Sequence, residues 1–139
     1  MKKVSILTVL VVSLSATTSL FAQSKVEITV KNLQEIKGTV RMAVYSGEGS
    51  FMKNSLTSKE VKVTAREVTI IFENVKPGEY AISTYHDIDD NKELNTGFMG
   101  IPKEPYGFSN DARGTFGPPS YKEAKFKVEG NSKISISVQ

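Results

Sequence analysis

The chain has 139 residues, 39% hydrophobic and 24% charged, with no Cys, no Trp and a single His. Its length suits one domain. The missing Cys excludes disulfides, thiolate metal sites, a cysteine nucleophile and the acylated Cys of a bacterial lipoprotein; the lone His excludes any site built on two or more imidazoles.

Met1-Lys2-Lys3 precedes the apolar run Val4 to Leu14, then small polar residues and Leu20-Phe21-Ala22-Gln23. This order of basic, apolar and small residues predicts a secretory signal peptide over residues 1–22, cut after Ala22, with Ala16 the weaker cleavage point. The apolar stretch falls short of the roughly 20 residues that span a bilayer, so the expectation is an exported protein, periplasmic or secreted, that does not cross the membrane. The formal charge of +3 comes largely from Lys2 and Lys3; residues 23–139 carry 16 basic against 15 acidic side chains. No basic stripe remains, and no nucleic-acid partner is expected. A chain of 117 residues buries roughly two-thirds of its unfolded surface, enough for one core without disulfides.

From Val26 onward the apolar period is two. Val26, Ile28 and Val30 alternate with charged or polar neighbours, and so do Val40, Met42 and Val44. The pattern recurs at Val61 and Val63, at Val68, Ile70 and Phe72, at Tyr80 and Ile82, at Ala124, Phe126 and Val128, and at Ile134, Ile136 and Val138. Short β-branched alternations separated by turn residues predict an all-β domain, an antiparallel β-sandwich of about seven strands over residues 23–139. The run Asn74-Val75-Lys76-Pro77-Gly78-Glu79-Tyr80 predicts a tyrosine corner, in which the ring packs inward and the hydroxyl bonds back to the turn.

Residues 87–121 break the period. Thirty-five residues without alternation are too many for a passive connection. Five glycines and four prolines punctuate the segment, yet it also holds Phe98, Tyr106, Phe108, Phe116 and Tyr121. Disordered linkers are poor in aromatics, so this loop is expected to fold against the sandwich. Tyr106, Phe108, Phe116 and Tyr121 are candidate rings for stacking on a glycan or peptide, or for a small core of the loop itself. Ser120-Tyr121-Lys122-Glu123 predicts a capping box and one helical turn before the next strand.

The loop opens on His86-Asp87-Ile88-Asp89-Asp90-Asn91-Lys92-Glu93-Leu94-Asn95. Asp87, Asp89 and Asn91 stand at positions 1, 3 and 5 of an EF-hand-type calcium loop, with Glu93 at position 7 and Asn95 at position 9. Alternating oxygen side chains suit Ca²⁺, which takes six to eight oxygens. Lys92 occupies position 6, where Gly normally makes the turn, and Phe98 occupies position 12, where a bidentate Glu normally sits. Two readings stay open: a weak Ca²⁺ site, or Asp and Asn residues forming ordinary Asx turns. His86 shares the parity of Tyr80 and Ile82. It is read as a core histidine whose ring bonds to the long loop, with a general base paired with Asp87 or Asp89 as the alternative. No nucleophile motif accompanies it.

Taken together, the segment from Gly78 to Phe126 resembles an uncharacterised bacterial family, domain of unknown function 2141. The motifs are an HD-(acidic/Asn-rich)-L-(D/N) loop at His86–Asn95, G-I-P-x-E-x-Y-G-F-S-N at Gly100–Asn110, and G-P-P-x-(F/Y)-x-x-A-x-F at Gly117–Phe126. The resemblance implies a small exported sandwich, transthyretin-like or immunoglobulin-like, and implies no activity. Family loops more often read D-x-N-G-N-G, with an Asp near position 9, where this chain has Asp89, Asn91, Lys92 and Asn95.

Three functions remain in view. The first is a non-enzymatic binding or accessory module, its loop organised by Ca²⁺ or by aromatic packing, for a protein or glycan of the cell envelope. The second is a hydrolase of the envelope using His86 with an Asp. The third is a purely structural domain without ligand.

Overall fold

The computed structural model describes residues 24–139. The signal peptide assigned to residues 1–22 lies outside them. Among the described residues the strands are β1 (Ser24–Lys31), β2 (Thr39–Tyr45), β3 (Thr57–Lys62), β4 (Val68–Val75), β5 (Gly78–Asp87), β6 (Tyr106–Phe108), β7 (Phe126–Val128) and β8 (Ser132–Ser137). A single helical turn, α1 (Tyr121–Ala124), sits between β6 and β7. No helix among these residues is long and apolar enough to cross a membrane.

The strands form two sheets. One has the order β4-β1-β8, with β8 parallel to β1 and β4 antiparallel to it. The other has the order β3-β2-β5-β6, all antiparallel, and β7 pairs with the start of β5 on the edge that β6 occupies further along. Successive side chains of a strand point to opposite faces. The alternating residues read from the sequence therefore meet between the sheets: Val26, Ile28 and Val30 of β1, with Ile70 and Phe72 of β4 beside them, face Val40, Met42 and Val44 of β2 and Ile82 of β5. Each such burial contributes about 1.5–3 kcal/mol relative to exposure. The all-β sandwich expected from the period is what the chain forms.

The tyrosine corner is present: Tyr80 is buried and its hydroxyl donates to the Lys76 carbonyl at 2.7 Å. The capping box is present too, Ser120 accepting from the Glu123 amide while the Glu123 carboxylate accepts from Ser120 N–H. Three details differ from the sequence reading. Ala124 lies in α1 rather than in the following strand. β3 is an exposed polar edge strand in which only Val61 is half-buried, and the buried Val63 lies just past its end. The loop contributes an eighth strand, β6, whose three residues contain Gly107 at their centre. That glycine is required by close approach, since a Cβ there would lie 2.8 Å from the Ser137 carbonyl oxygen. Beside it Tyr106 and Gln139 exchange backbone hydrogen bonds of 3.2 and 3.1 Å, joining the loop to the end of β8.

Candidate functional site

The expected functional residues fall on the two faces of β5 and on the loop that follows it. His86 points into the sandwich and is fully buried. Its Nε2 lies 2.7 Å from the Lys37 carbonyl oxygen, which only accepts, so Nε2 carries the proton and donates. The ring thus bonds to the β1–β2 turn rather than to the long loop; it is the His86 backbone N–H that reaches the loop, donating to Pro105 at 2.8 Å. Nδ1 has no partner. Asp87, one residue on, points to the opposite face. The His–Asp pair that a general base needs is not assembled, because the sheet lies between the two side chains.

Asp87 is the anchor of the acidic turn and is itself fully buried. Its Oδ2 accepts from Arg41 Nε at 2.7 Å and from the Lys92 amide at 2.9 Å, and its Oδ1 accepts from the Asn91 amide at 3.1 Å. Burial alone pushes this carboxyl up, but the Arg41 guanidinium and the two backbone amides outweigh it and hold the group below the ordinary carboxylate range. Arg41 also pairs with Glu60. On the other strand edge, Thr39 and Lys62 both bond Asp90, and together they lower its pKa. The turn passes tightly over the β1–β2 connection. Gly38, at φ +71°, could carry no side chain, since its Cβ would lie 2.2 Å from the Asp87 carbonyl oxygen.

The remaining residues of the turn follow the spacing of the calcium-loop template. Asp89 Oδ1 accepts from the Asn91 amide at 3.2 Å, and Asn91 Oδ1 accepts from the Glu93 amide at 2.9 Å. Asn95 Nδ2 donates to Asp89 at 2.8 Å, and Asn91 Nδ2 donates to Asn95. Lys92 adopts φ +70°, so a lysine makes the left-handed turn for which Gly is the usual residue. Phe98, at position 12, stands exposed on a 3-10 turn and supplies nothing to the centre. A further carboxylate beside the turn is that of Glu104. Carboxylate oxygens of Asp87, Asp89 and Glu104 lie within 4.8 Å of one another, whereas the Glu93 side chain is exposed and outside this group.

Glu104 is the residue that spacing rules missed. It is buried, and its two oxygens accept from the Ile88 amide at 2.8 Å and the Asn95 amide at 3.0 Å, clamping both ends of the acidic turn. Its only signal in the sequence was a place in the Gly100–Asn110 motif. The rest of that motif is also a brace. Ser109 is buried, accepts from the Ile82 amide at 2.9 Å and donates to the Ala124 carbonyl. Asn110, at φ +61°, donates to the carbonyls of Glu123 and Lys125.

The four candidate rings separate. Phe108 and Tyr121 are buried with Tyr45, Phe51, Ala81 and Ala124 in a second, smaller core on the outer face of the five-stranded sheet. Tyr121 Oη accepts from Gly47 N–H at 3.1 Å and donates to the Glu79 carbonyl at 3.2 Å. Phe116 is fully exposed and apart from the others. Tyr106 is half-buried, packs edge-on against Phe108 at 6.1 Å, and is paired in register with Tyr85 of β5.

Tyr85 and Tyr106 form one wall of a groove of about 650 Å³ across the outer face of β3, β2, β5 and β6. The register explains its shape. Arg41, Tyr85 and Tyr106 form one transverse row; Ser58, Ala43, Ser83 and Phe108 form the next, and Tyr45 stands beyond beside Ala81. The small side chains of Ser58, Ala43 and Ser83, with Arg41 and Tyr85 on one side, Tyr45 on the other and the Phe108 ring at the β6 end, leave a trough. Leu94, carried by the acidic turn, also lines it.

Comparison with known proteins gives one match. The family described as "Uncharacterized protein conserved in bacteria (DUF2141)" matches residues 28–136, and the chain belongs to it. No curated protein and no solved structure matches.

Proposed function

From that family membership, to which no activity is attached, we propose that this protein is exported and acts as a non-enzymatic binding module, holding a protein or glycan of the cell envelope in the outer groove. The observation that carries the reading is the groove itself. It is concave, mostly apolar, edged by a few polar groups, and of the size at which ligand sites occur, about 300–1,000 Å³. The burial of His86 on the far face of the sheet supports binding over hydrolysis. The test is an amide-resolved NMR titration of the purified chain with envelope glycan fragments and envelope peptides. Shifts gathered on Ala43, Ser83, Tyr85 and Tyr106 are expected. Titrations that leave these four residues unmoved would overturn the reading.

A second reading concerns the acidic turn and is favoured by the convergence of Asp87, Asp89 and Glu104. Ca²⁺ held by these carboxylates, with Asn91 and Asn95 beside them, would fix Leu94 at the rim of the groove. Without a bidentate Glu at position 12 the site would be weak, with Kd on the order of 10⁻⁴–10⁻³ M. Ca²⁺ at ten times Kd then stabilises the fold by about 1.4 kcal/mol. Thermal unfolding across a millimolar Ca²⁺ series is expected to show this rise, and to lose it in Asp89→Ala, whose exposed side chain bonds only to Asn91 and Asn95 within the turn. A melting temperature indifferent to Ca²⁺ in the unsubstituted protein refutes the cation.

A further inference from the structure

We infer that the groove is built for a neutral oligosaccharide; this rests on the binding role proposed above and narrows it to one chemistry. Three features of the outer sheet face lead there.

The first is shape. Along β2 the wall residues Arg41 and Tyr45 stand two positions either side of Ala43. At about 3.4 Å per residue, the wall backbones are about 14 Å apart. The side chains rising from them narrow that span to the breadth of one sugar ring seated over Ala43 and Ser83. The trough runs across the strands from the open β3 side to the Phe108 ring of β6, so a linear chain of rings would lie over β3, β2 and β5 in turn. Tyr85 and Tyr106, neighbours in register and both half-buried, offer adjoining ring surfaces along one side. The apolar C–H face of a sugar packs on such rings, and its hydroxyls need short polar partners. Ser58 and Ser83 on the floor, and the Tyr45 hydroxyl 3.3 Å from Ser83 Oγ, supply them.

The second is charge. Arg41 stands in the groove wall and is already bonded to the buried Asp87 and to Glu60, while Lys59, the other basic lining residue, carries its ammonium to the Ile71 carbonyl and over the Phe72 ring. A phosphate, sulfate or uronate entering there meets an arginine whose charge is matched twice over. The third is the backbone. Over Val40–Val44, β2 is paired on both sides, with β3 and with β5, and over Ser83–Tyr85, β5 is paired on both sides, with β2 and with β6. A peptide laid over the β2–β5 floor finds no unpaired main chain there, so strand addition, the mode on which extended peptides commonly rely, is confined to the β3 edge at the end of the trough.

The experiment is an NMR and calorimetric titration of the purified chain with four neutral probes, cellohexaose, xylohexaose, maltohexaose and chitohexaose. Oligogalacturonate and a mixed hexapeptide pool serve as the charged and peptide comparators. At least one neutral sugar is expected to bind with sub-millimolar Kd and to shift Ala43, Ser83 and Tyr106. Tyr106→Ala is expected to weaken it tenfold or more, and Tyr106→Phe to retain most of it. Ser58→Phe, which fills the trough from an exposed edge position and leaves the fold intact, is expected to abolish binding even if Tyr106→Ala disturbs folding. Binding of oligogalacturonate or peptide in the groove, with no neutral sugar, overturns the sugar assignment while the binding role stands. No shift in the groove with any of the probes overturns the sugar assignment and the binding role together.

Discussion

The two faces of β5 are built on different principles. Its inner face carries Tyr80 and Ile82 into a mostly aliphatic core, most of it contributed by strands recognisable alone from their alternation. Its outer face carries Ala81, Ser83, Tyr85 and Asp87, and it is completed by groups from distant parts of the chain. Arg41 reaches Asp87 across 46 residues, Ser109 reaches Ile82 across 27, and the Tyr121 hydroxyl reaches Gly47 across 74. The inner face is held chiefly by area removed from water, which needs only apolar residues at the right parity, and only toward its end do Thr84 and His86 add bonds to the Arg41 and Lys37 carbonyls. The outer face is held by directed bonds, each of which needs one particular partner. The groove and the acidic turn both lie on the second kind of surface.

Acid separates the two. Ile28→Ala, a fully buried truncation, is expected to cost about 4 kcal/mol. That loss should be nearly the same at pH 7 and at pH 3, because no proton is involved. Asp87→Asn is expected to cost about 3 kcal/mol at pH 7, since it turns an amide toward Arg41 and Lys92 in place of an accepting oxygen. The Asp87 carboxyl ionises below the ordinary carboxylate range in the folded protein. Its contribution is therefore complete above that range and drains away as the pH falls through it toward the folded-state value. The gap between the natural protein and Asp87→Asn should narrow on acidification while the Ile28→Ala gap holds. Denaturant unfolding of all three proteins at pH 7, 5 and 3 measures both, and two parallel gaps would show that Asp87 stabilises through shape rather than charge.

How much of this was legible in the sequence follows the same division. Period-two alternation revealed the inner strands because one face of each is buried, and the Pro-Gly-x-Tyr run revealed the corner. Ser120 with Glu123 revealed the cap, since both partners lie within one turn. β6 was not legible: three residues around a glycine offer no alternation to count, and its pairing with β5 depends on the bend of a loop. The role of Glu104 was hidden for a related reason, although the residue itself stood in the Gly100–Asn110 motif. It stands 17 residues from Asp87, between Lys103 and Pro105, and only the fold brings it beside the turn. The calcium-loop spacing placed Asp87, Asp89, Asn91 and Asn95 in one hydrogen-bonded turn, yet gave no pointer to the Glu104 carboxylate that lies beside it. His86 was legible in parity and burial, but its ring partner lies on a different connection.

A smaller effect is expected where local and distant terms meet. Tyr80 belongs to the inner core by its ring and to the turn by its hydroxyl, four residues from its acceptor. Tyr80→Phe keeps the ring and removes only the bond to the Lys76 carbonyl, so the loss should be about 1 kcal/mol. Equilibrium unfolding of this variant asks whether a short-range polar tie in the sandwich is worth as much as one in the loop. A loss above about 3 kcal/mol would mean that the corner organises the whole β4–β5 connection.

The smallest effect is expected at Phe116, and it bears on the loop as a whole. Phe108 and Phe116 lie eight residues apart in one aromatic-rich segment, and composition gives no reason to separate them. Phe108 is buried, with its ring 6.2 Å from Phe51 and 6.1 Å from Tyr106, and it sits on a strand paired with β5. Phe116 projects from the bend between Gly114 and Gly117 and is fully exposed. A side chain that buries nothing has nothing to lose, so Phe116→Ala should change stability by no more than about 0.5 kcal/mol. The same substitution should leave oligosaccharide binding in the groove unchanged, since Phe116 is not among the groove's lining residues. A stability loss above 1 kcal/mol would place this ring against the outer face in solution, and the outer core would then extend to the far end of the loop. Unchanged stability with weakened sugar binding would instead make the exposed ring part of a longer binding track than the trough alone.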